Sequence, residues 1–200
     1  MEMIADYLTW ASESCLTVDP GQVQRLIDLL FEARANGRRV FIIGNGGSAA
    51  TASHFCEDLG KCTLTSLDDP LRFKVISLTD NLPYVTAWAN DNGYETVFEQ
   101  QLRNLAEPGD LVIGISASGN SPNVLRAIAY ANEHGLTTIG LTGFDGGRLR
   151  EMAHHPVHVP IHDYGMAESV HMIIFHLIIN RATEIIRAPH AERASGASHP

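Results

Sequence analysis

The stretch Val40-Phe-Ile-Ile-Gly44-Asn-Gly-Gly-Ser48-Ala-Ala50 decides the fold class of this chain. Its first four residues are apolar and rich in β-branched types, the signature of a buried strand. The strand runs straight into Gly44-Asn-Gly-Gly-Ser48, and a helix is expected to start near Ala49. Glycines let a backbone approach a ligand closely, and a helix N-terminus offers unpaired N–H groups with a partial positive charge. Such a turn suits a phosphate. A tight strand-to-helix turn with Ser48 as a plain N-cap uses the same residues, so this stretch alone leaves both readings open. It is not a dinucleotide fingerprint, because GxGxxG is absent and no suitably placed acidic residue follows a second strand.

Outward from this turn, β-rich runs recur at 39–43, 73–78, 111–116, 137–142 and 157–161, with helical segments between most of them. Alternation of this kind predicts an α/β fold with a mainly parallel sheet covered on both faces. Two amphipathic helices precede it, over 1–15 and 22–35, with Val23, Leu26, Ile27 and Leu30 on one face. A last helix, about 167–186, carries Val170, Ile173, Ile174, Leu177 and Ile178. Residues 1–187 read as a single domain, and 188–200 as a small, polar, disordered tail.

A second turn, Gly114-Ile-Ser116-Ala-Ser118-Gly119-Asn-Ser121-Pro122, sets three serines around a glycine between a strand and a helix. Hydroxyls and backbone amides can hold a phosphate without lysine or arginine. That fits a chain with a formal charge of −9, which argues against a nucleic-acid binder. Ser121 taken alone reads as a helix cap. Two such turns in one parallel sheet can face a common crevice at the carboxyl ends of the strands.

Three cysteines without CxxC spacing, Cys15, Cys56 and Cys62, read as free thiols in a reducing compartment. The N-terminus lacks the basic start of a signal peptide, and no continuous apolar run approaches the roughly 18 residues of a membrane span. A cytoplasmic protein is expected. His54 and Asp58 share a helix face one turn apart, and Glu168 and His176 lie within about 80° of each other on the last helix. Histidines with carboxylates on two helices can form a zinc site or an acid–base pair, although ten histidines also generate chance neighbours. His171, on an apolar helix face, reads as a buried, hydrogen-bonded residue.

With both turns in hand the chain resembles the sugar isomerase (SIS) domain family, and within it the phosphoheptose isomerases. The resemblance rests on GNGGS at Gly44–Ser48, GISASGNS at Gly114–Ser121, His54-Phe-Cys-Glu57-Asp58, Ala89-Asn90-Asp91-Asn92-Gly93 and Leu141–Gly147. It implies a flavodoxin-like sheet of five parallel strands and a homotetramer with active sites between subunits, assembled with help from the N-terminal helices. It also implies substrate contacts at Asn45, Gly46, Gly47, Ser48, Asn90, Asp91, Ser116, Ala117, Ser118, Ser121 and Glu168. Zinc ligands are implied at His54, Asp58, Glu168 and His176. Asp58, or Glu57 beside it, would share acid–base work with His176.

The implied reaction is the conversion of sedoheptulose 7-phosphate to D-glycero-D-manno-heptose 7-phosphate through an enediol(ate). The sequence departs from the family's usual glutamate at Asp58, glutamine at Glu168 and threonine at Ala117. Other readings are isomerisation of a different ketose phosphate, or a non-catalytic SIS protein that binds a protein partner such as the replication initiator. A sugar-phosphate-sensing regulator would need a DNA-binding domain, for which the 36 residues before the first strand leave little room.

Overall fold

A computed structural model describes residues 2–196, with side chains through residue 188. Chain order is α1 (Glu2–Cys15), α2 (Pro20–Ala35), β1 (Arg39–Gly44), α3 (Gly46–Lys61), β2 (Lys74–Ser77), α4 (Leu82–Asn92), a 3-10 turn (Tyr94–Thr96) and α5 (Val97–Leu105). Then come β3 (Leu111–Ser116), α6 (Pro122–Glu133), β4 (Thr137–Thr142), α7 (Gly147–Met152), β5 (His155–His158) and α8 (Tyr164–Gly196). The five strands form one sheet in the order β2-β1-β3-β4-β5, every pair parallel.

Period-two alternation along the strands divides the apolar residues between two cores. Val40, Ile42, Leu111, Ile113 and Ile115 face α2, α3 and α8. Phe41, Ile43 and Val112 face α5, α6 and α7. Both faces of β1 and β3 are therefore buried, which is why these strands read as continuous apolar runs. Asp19 caps α2 by accepting from the Gly21 N–H at 2.8 Å, ahead of Pro20 at the first helical position.

Several boundaries differ from the sequence reading, most by one to three residues, and three stand out. β5 is His155–His158 rather than 157–161, because Pro156 and Pro160 punctuate an edge strand that pairs on one side only. α3 begins at Gly46 rather than near Ala49. α8 runs past Ile186 to Gly196, so 188–196 is helical where disorder was expected; residues 197–200 lie outside those described. α8 is also long and apolar enough to cross a membrane by length and composition, although no uninterrupted apolar run in the sequence is that long. In this fold its apolar stripe, Val170, Ile174 and Ile178, is spent on the sheet.

His171 lies on α8, fully buried, with Nε2 3.3 Å from the Thr142 carbonyl oxygen and Nδ1 without a hydrogen-bond partner. Burial pushes its pKa from 6.5 down to about 4. The folded protein holds this ring neutral while the unfolded chain takes up a proton below about pH 6.5. Its contribution to stability is complete above pH 6.5 and is lost towards pH 4, at about 1.4 kcal/mol per pH unit. Burial depresses His155 and His158 in the same direction. Urea unfolding across this range should show a shallower acid dependence in His171→Leu than in the wild type. The Thr142 carbonyl keeps the 2.9 Å bond from the Val159 N–H in that variant.

Candidate functional site

The sheet order reverses between β1 and β3: the chain leaves β1 for one edge and β3 for the other. α3 therefore joins one core and α6 the other, opening a crevice at the carboxyl ends of these two strands. The two sequence turns meet there. Asn45 precedes α3 but makes no capping bond. Its side-chain amide instead donates to Asn123 Oδ1 at 2.9 Å and accepts from Asn123 Nδ2 at 2.8 Å, with the Tyr94 hydroxyl donating to the same Asn45 oxygen at 2.8 Å. The first N–H groups of α3 therefore have no capping bond from Asn45. Ser48, two residues into α3 and buried, is not the cap that the plainer reading assumed.

Nor is Ser121 a side-chain cap. Its hydroxyl turns to the Ser116 hydroxyl at 3.1 Å, while half-buried Ser118 sits at the tip of the turn. The Leu141–Gly147 stretch braces this turn from below. The Gly143 N–H donates to the Ala117 carbonyl at 2.8 Å, and the Leu149 N–H donates to the Gly119 carbonyl at 2.9 Å. Gly119 has φ +66°, and a Cβ there would lie 1.9 Å from the Gly146 oxygen, so only glycine fits. Ala117 is buried, and its carbonyl is committed to this brace.

α3 and α8 lie side by side on one face of the sheet, paired in the same direction. At their first turns the Glu168 carboxylate packs over Gly47, where a Cβ would stand 2.1 Å from Glu168 Oε2. Two turns on, Phe55 and Phe175 stack with centroids 3.9 Å apart, and His54 meets His176 edge to face at 5.2 Å. Asp58 Oδ2 lies 3.3 Å from His54 Nε2 and 3.9 Å from His176 Nε2. The carboxylate is 17% exposed and the two imidazoles about half exposed, so the group is anchored from within and open outward.

His54, Asp58 and His176 offer ligand atoms within 4.8 Å of one another, a donor set of two nitrogens and one oxygen that fits zinc with room for a further ligand. Glu168 is not in that group. It stands about 10 Å back along α3, at the first turn, since eight residues of α8 separate it from His176 and seven of α3 separate Gly47 from His54. Glu57 pairs with Lys61 at 3.2 Å and groups with Asp58 and Cys62, not with the histidines. Asn90 and Asp91 end α4, exposed and bonded to each other at 2.8 Å. Their segment reaches the first turn through Tyr94.

Asn123 and Tyr94 are site residues that the sequence reading missed. A polar residue just after the Ser121-Pro122 helix start was the available signal for Asn123; nothing local marked Tyr94. A third group was missed as well. Ser77 and Thr79 hydroxyls each donate to Asp80 Oδ1 at 3.1 Å, joined by Ser53 from α3. Burial pushes up the pKa of the Cys56 thiol beside this network.

The SIS domain family model matches residues 6–143. A phosphoheptose isomerase from Geotalea daltonii is 39% identical over 158 residues, which is 78% of this chain and 80% of that protein. The structure of a phosphoheptose isomerase from Neisseria gonorrhoeae superposes with a TM-score of 0.82 at 28% identity, covering 90% of this chain and 97% of that one. A phosphoheptose isomerase from Francisella tularensis gives 0.83 at 25% identity, covering 92% and 97%. The match of the family model over most of the chain, this level of identity and the close superposition lead to one statement: the chain belongs to the SIS domain family, in the company of the phosphoheptose isomerases.

Proposed function

We propose that the protein is an aldose–ketose isomerase that converts sedoheptulose 7-phosphate to D-glycero-D-manno-heptose 7-phosphate. The observation that carries this reading is the convergence of Asp58 Oδ2 with His54 and His176 two helical turns along the seam that starts at the paired turns. The Glu168 carboxylate over Gly47 disfavours a phosphate dianion at the start of α3. The phosphate then belongs on Ser116, Ser118 and Ser121, and the sugar hydroxyls belong along Asn45, Gly46, Gly47, Ser48 and Glu168. This lays the C1–C2 end towards the histidines.

Isomerisation requires removal of the proton from C1 of the ketose, an enediol(ate), and return of a proton to C2. Asp58 and His176 are the pair placed to exchange these protons, and His176 is open enough to serve oxygen as well as carbon. A zinc ion would be held by His54, Asp58 and His176, and when bound would polarise the carbonyl oxygen.

We also propose a homotetramer acting in the cytoplasm. Support comes from a groove of about 790 Å³ between α2 and α8, lined by Val23, Ile27, Ile173 and Leu177 and including His176. The outer face of α1 adds exposed Met3, Ile4, Tyr7 and Leu8. A second copy covering this groove would close the site beside His176. Isomerisation of a different ketose phosphate, the other reading raised by aspartate at 58 and glutamate at 168, gains no support from the relatives named above. A replication-initiator partner gains no support from the relatives named above.

Purified protein should form aldoheptose 7-phosphate from sedoheptulose 7-phosphate. His176→Ala should lower kcat about 10²- to 10⁴-fold with an unchanged circular dichroism spectrum; wild-type turnover in that variant would refute its role. Dialysis against a chelator should abolish most activity, and added zinc should restore it. Replacing both His54 and His176 should remove bound zinc, read by elemental analysis; zinc retained at wild-type stoichiometry would refute the metal site.

A further inference from the structure

Asp58 is one methylene shorter than glutamate, and its carboxylate is held at both oxygens. Oδ2 faces His54 and His176 at 3.3 and 3.9 Å. Oδ1 accepts from the Cys62 thiol at 3.5 Å. The placement of Cys62 is set by the backbone: it follows α3 directly, and its N–H donates to the Asp58 carbonyl at 2.8 Å. Glu57 also stands beside Asp58 and Cys62, with its carboxylate within 4.8 Å of both, but its hydrogen-bond partner is Lys61 at 3.2 Å.

We propose that Cys62 is a positioning residue that locks the Asp58 carboxylate so that Oδ2 stays aimed at His54 and His176. This rests on the role given to Asp58 above. The terminal torsion of an aspartate is broad, so an unheld carboxylate swings and presents either oxygen, or neither, to the histidines. A donor fixed at i+4 on the far oxygen removes that freedom. A thiol is a weak donor, so the effect sits at the low end of what a ligand's hydrogen-bond partner contributes. Cys62 itself does not reach the histidines or the turns; it acts only through Asp58.

Three measurements test the assignment. The infrared S–H stretching band of Cys62, identified by its loss in Cys62→Ser, should lie below that of a water-exposed cysteine thiol and shift to that value in Asp58→Ala, because the side chain is exposed. An unmoved band overturns the proposal without reference to activity or metal. In Cys62→Ala, kcat should fall and zinc affinity should weaken, each about 10-fold, with KM little changed, while Cys62→Ser restores both to within about twofold. Wild-type kcat and zinc affinity in Cys62→Ala, or a Cys62→Ser variant as impaired as Cys62→Ala, would also overturn it. A wild-type protein without isomerase activity would instead refute the function proposed above, and the band would still decide the thiol contact.

Discussion

The site depends on one constraint, the reciprocal amide pair between Asn45 and Asn123 at the point where the strand order reverses. Two strand-to-helix turns from different parts of the chain would otherwise be independent loops. Tied side chain to side chain, they become one wall of one crevice. The pair also spares the start of α3 from being capped by its own residue, so the N–H groups that would have been satisfied locally stay available. A buried amide left without its partner costs about 1–3 kcal/mol, which makes the pairing self-enforcing.

The second determinant is the parallel docking of α3 on α8. The Phe55–Phe175 stack fixes the register of the two helices, and a stacked aromatic pair adds about 0.5–1.5 kcal/mol beyond its buried area. Because His54 and His176 neighbour those two phenylalanines in sequence, the register that packs the core also brings the imidazoles together on the outer side. Glycine at 47 lets Glu168 approach α3 at the upper end of the same seam. Packing and chemistry are set by adjacent residues of the same helix turns, one facing in and one facing out.

Much of this was legible from residue pattern. Strand–helix alternation predicted the parallel sheet, and both turns, His54, Asp58 and His176 were recognisable once the motifs were set beside a known family. Four features were not. The metal-ligand role expected for Glu168 depended on where α8 packs on α3, and eight residues of helix carry it about 12 Å from His176. The choice between Glu57 and Asp58 turned on a 100° rotation between successive helix positions and on Lys61, which draws Glu57 outward. Ser48 and Ser121 looked like caps because cap and ligand-binding turn use the same residue types, and only tertiary partners distinguish them. Asn123 and Tyr94 contribute through contacts across 78 and 49 residues of sequence, which no local pattern encodes.

The most direct test is a crystal structure with sedoheptulose 7-phosphate bound. The account predicts phosphate on the Ser116–Ser121 turn, the polyol passing Gly47 and Glu168, and the C1–C2 end within hydrogen-bond reach of Asp58 and His176. A sugar phosphate bound away from the crevice between β1 and β3, or with its phosphate against the histidines, would contradict it.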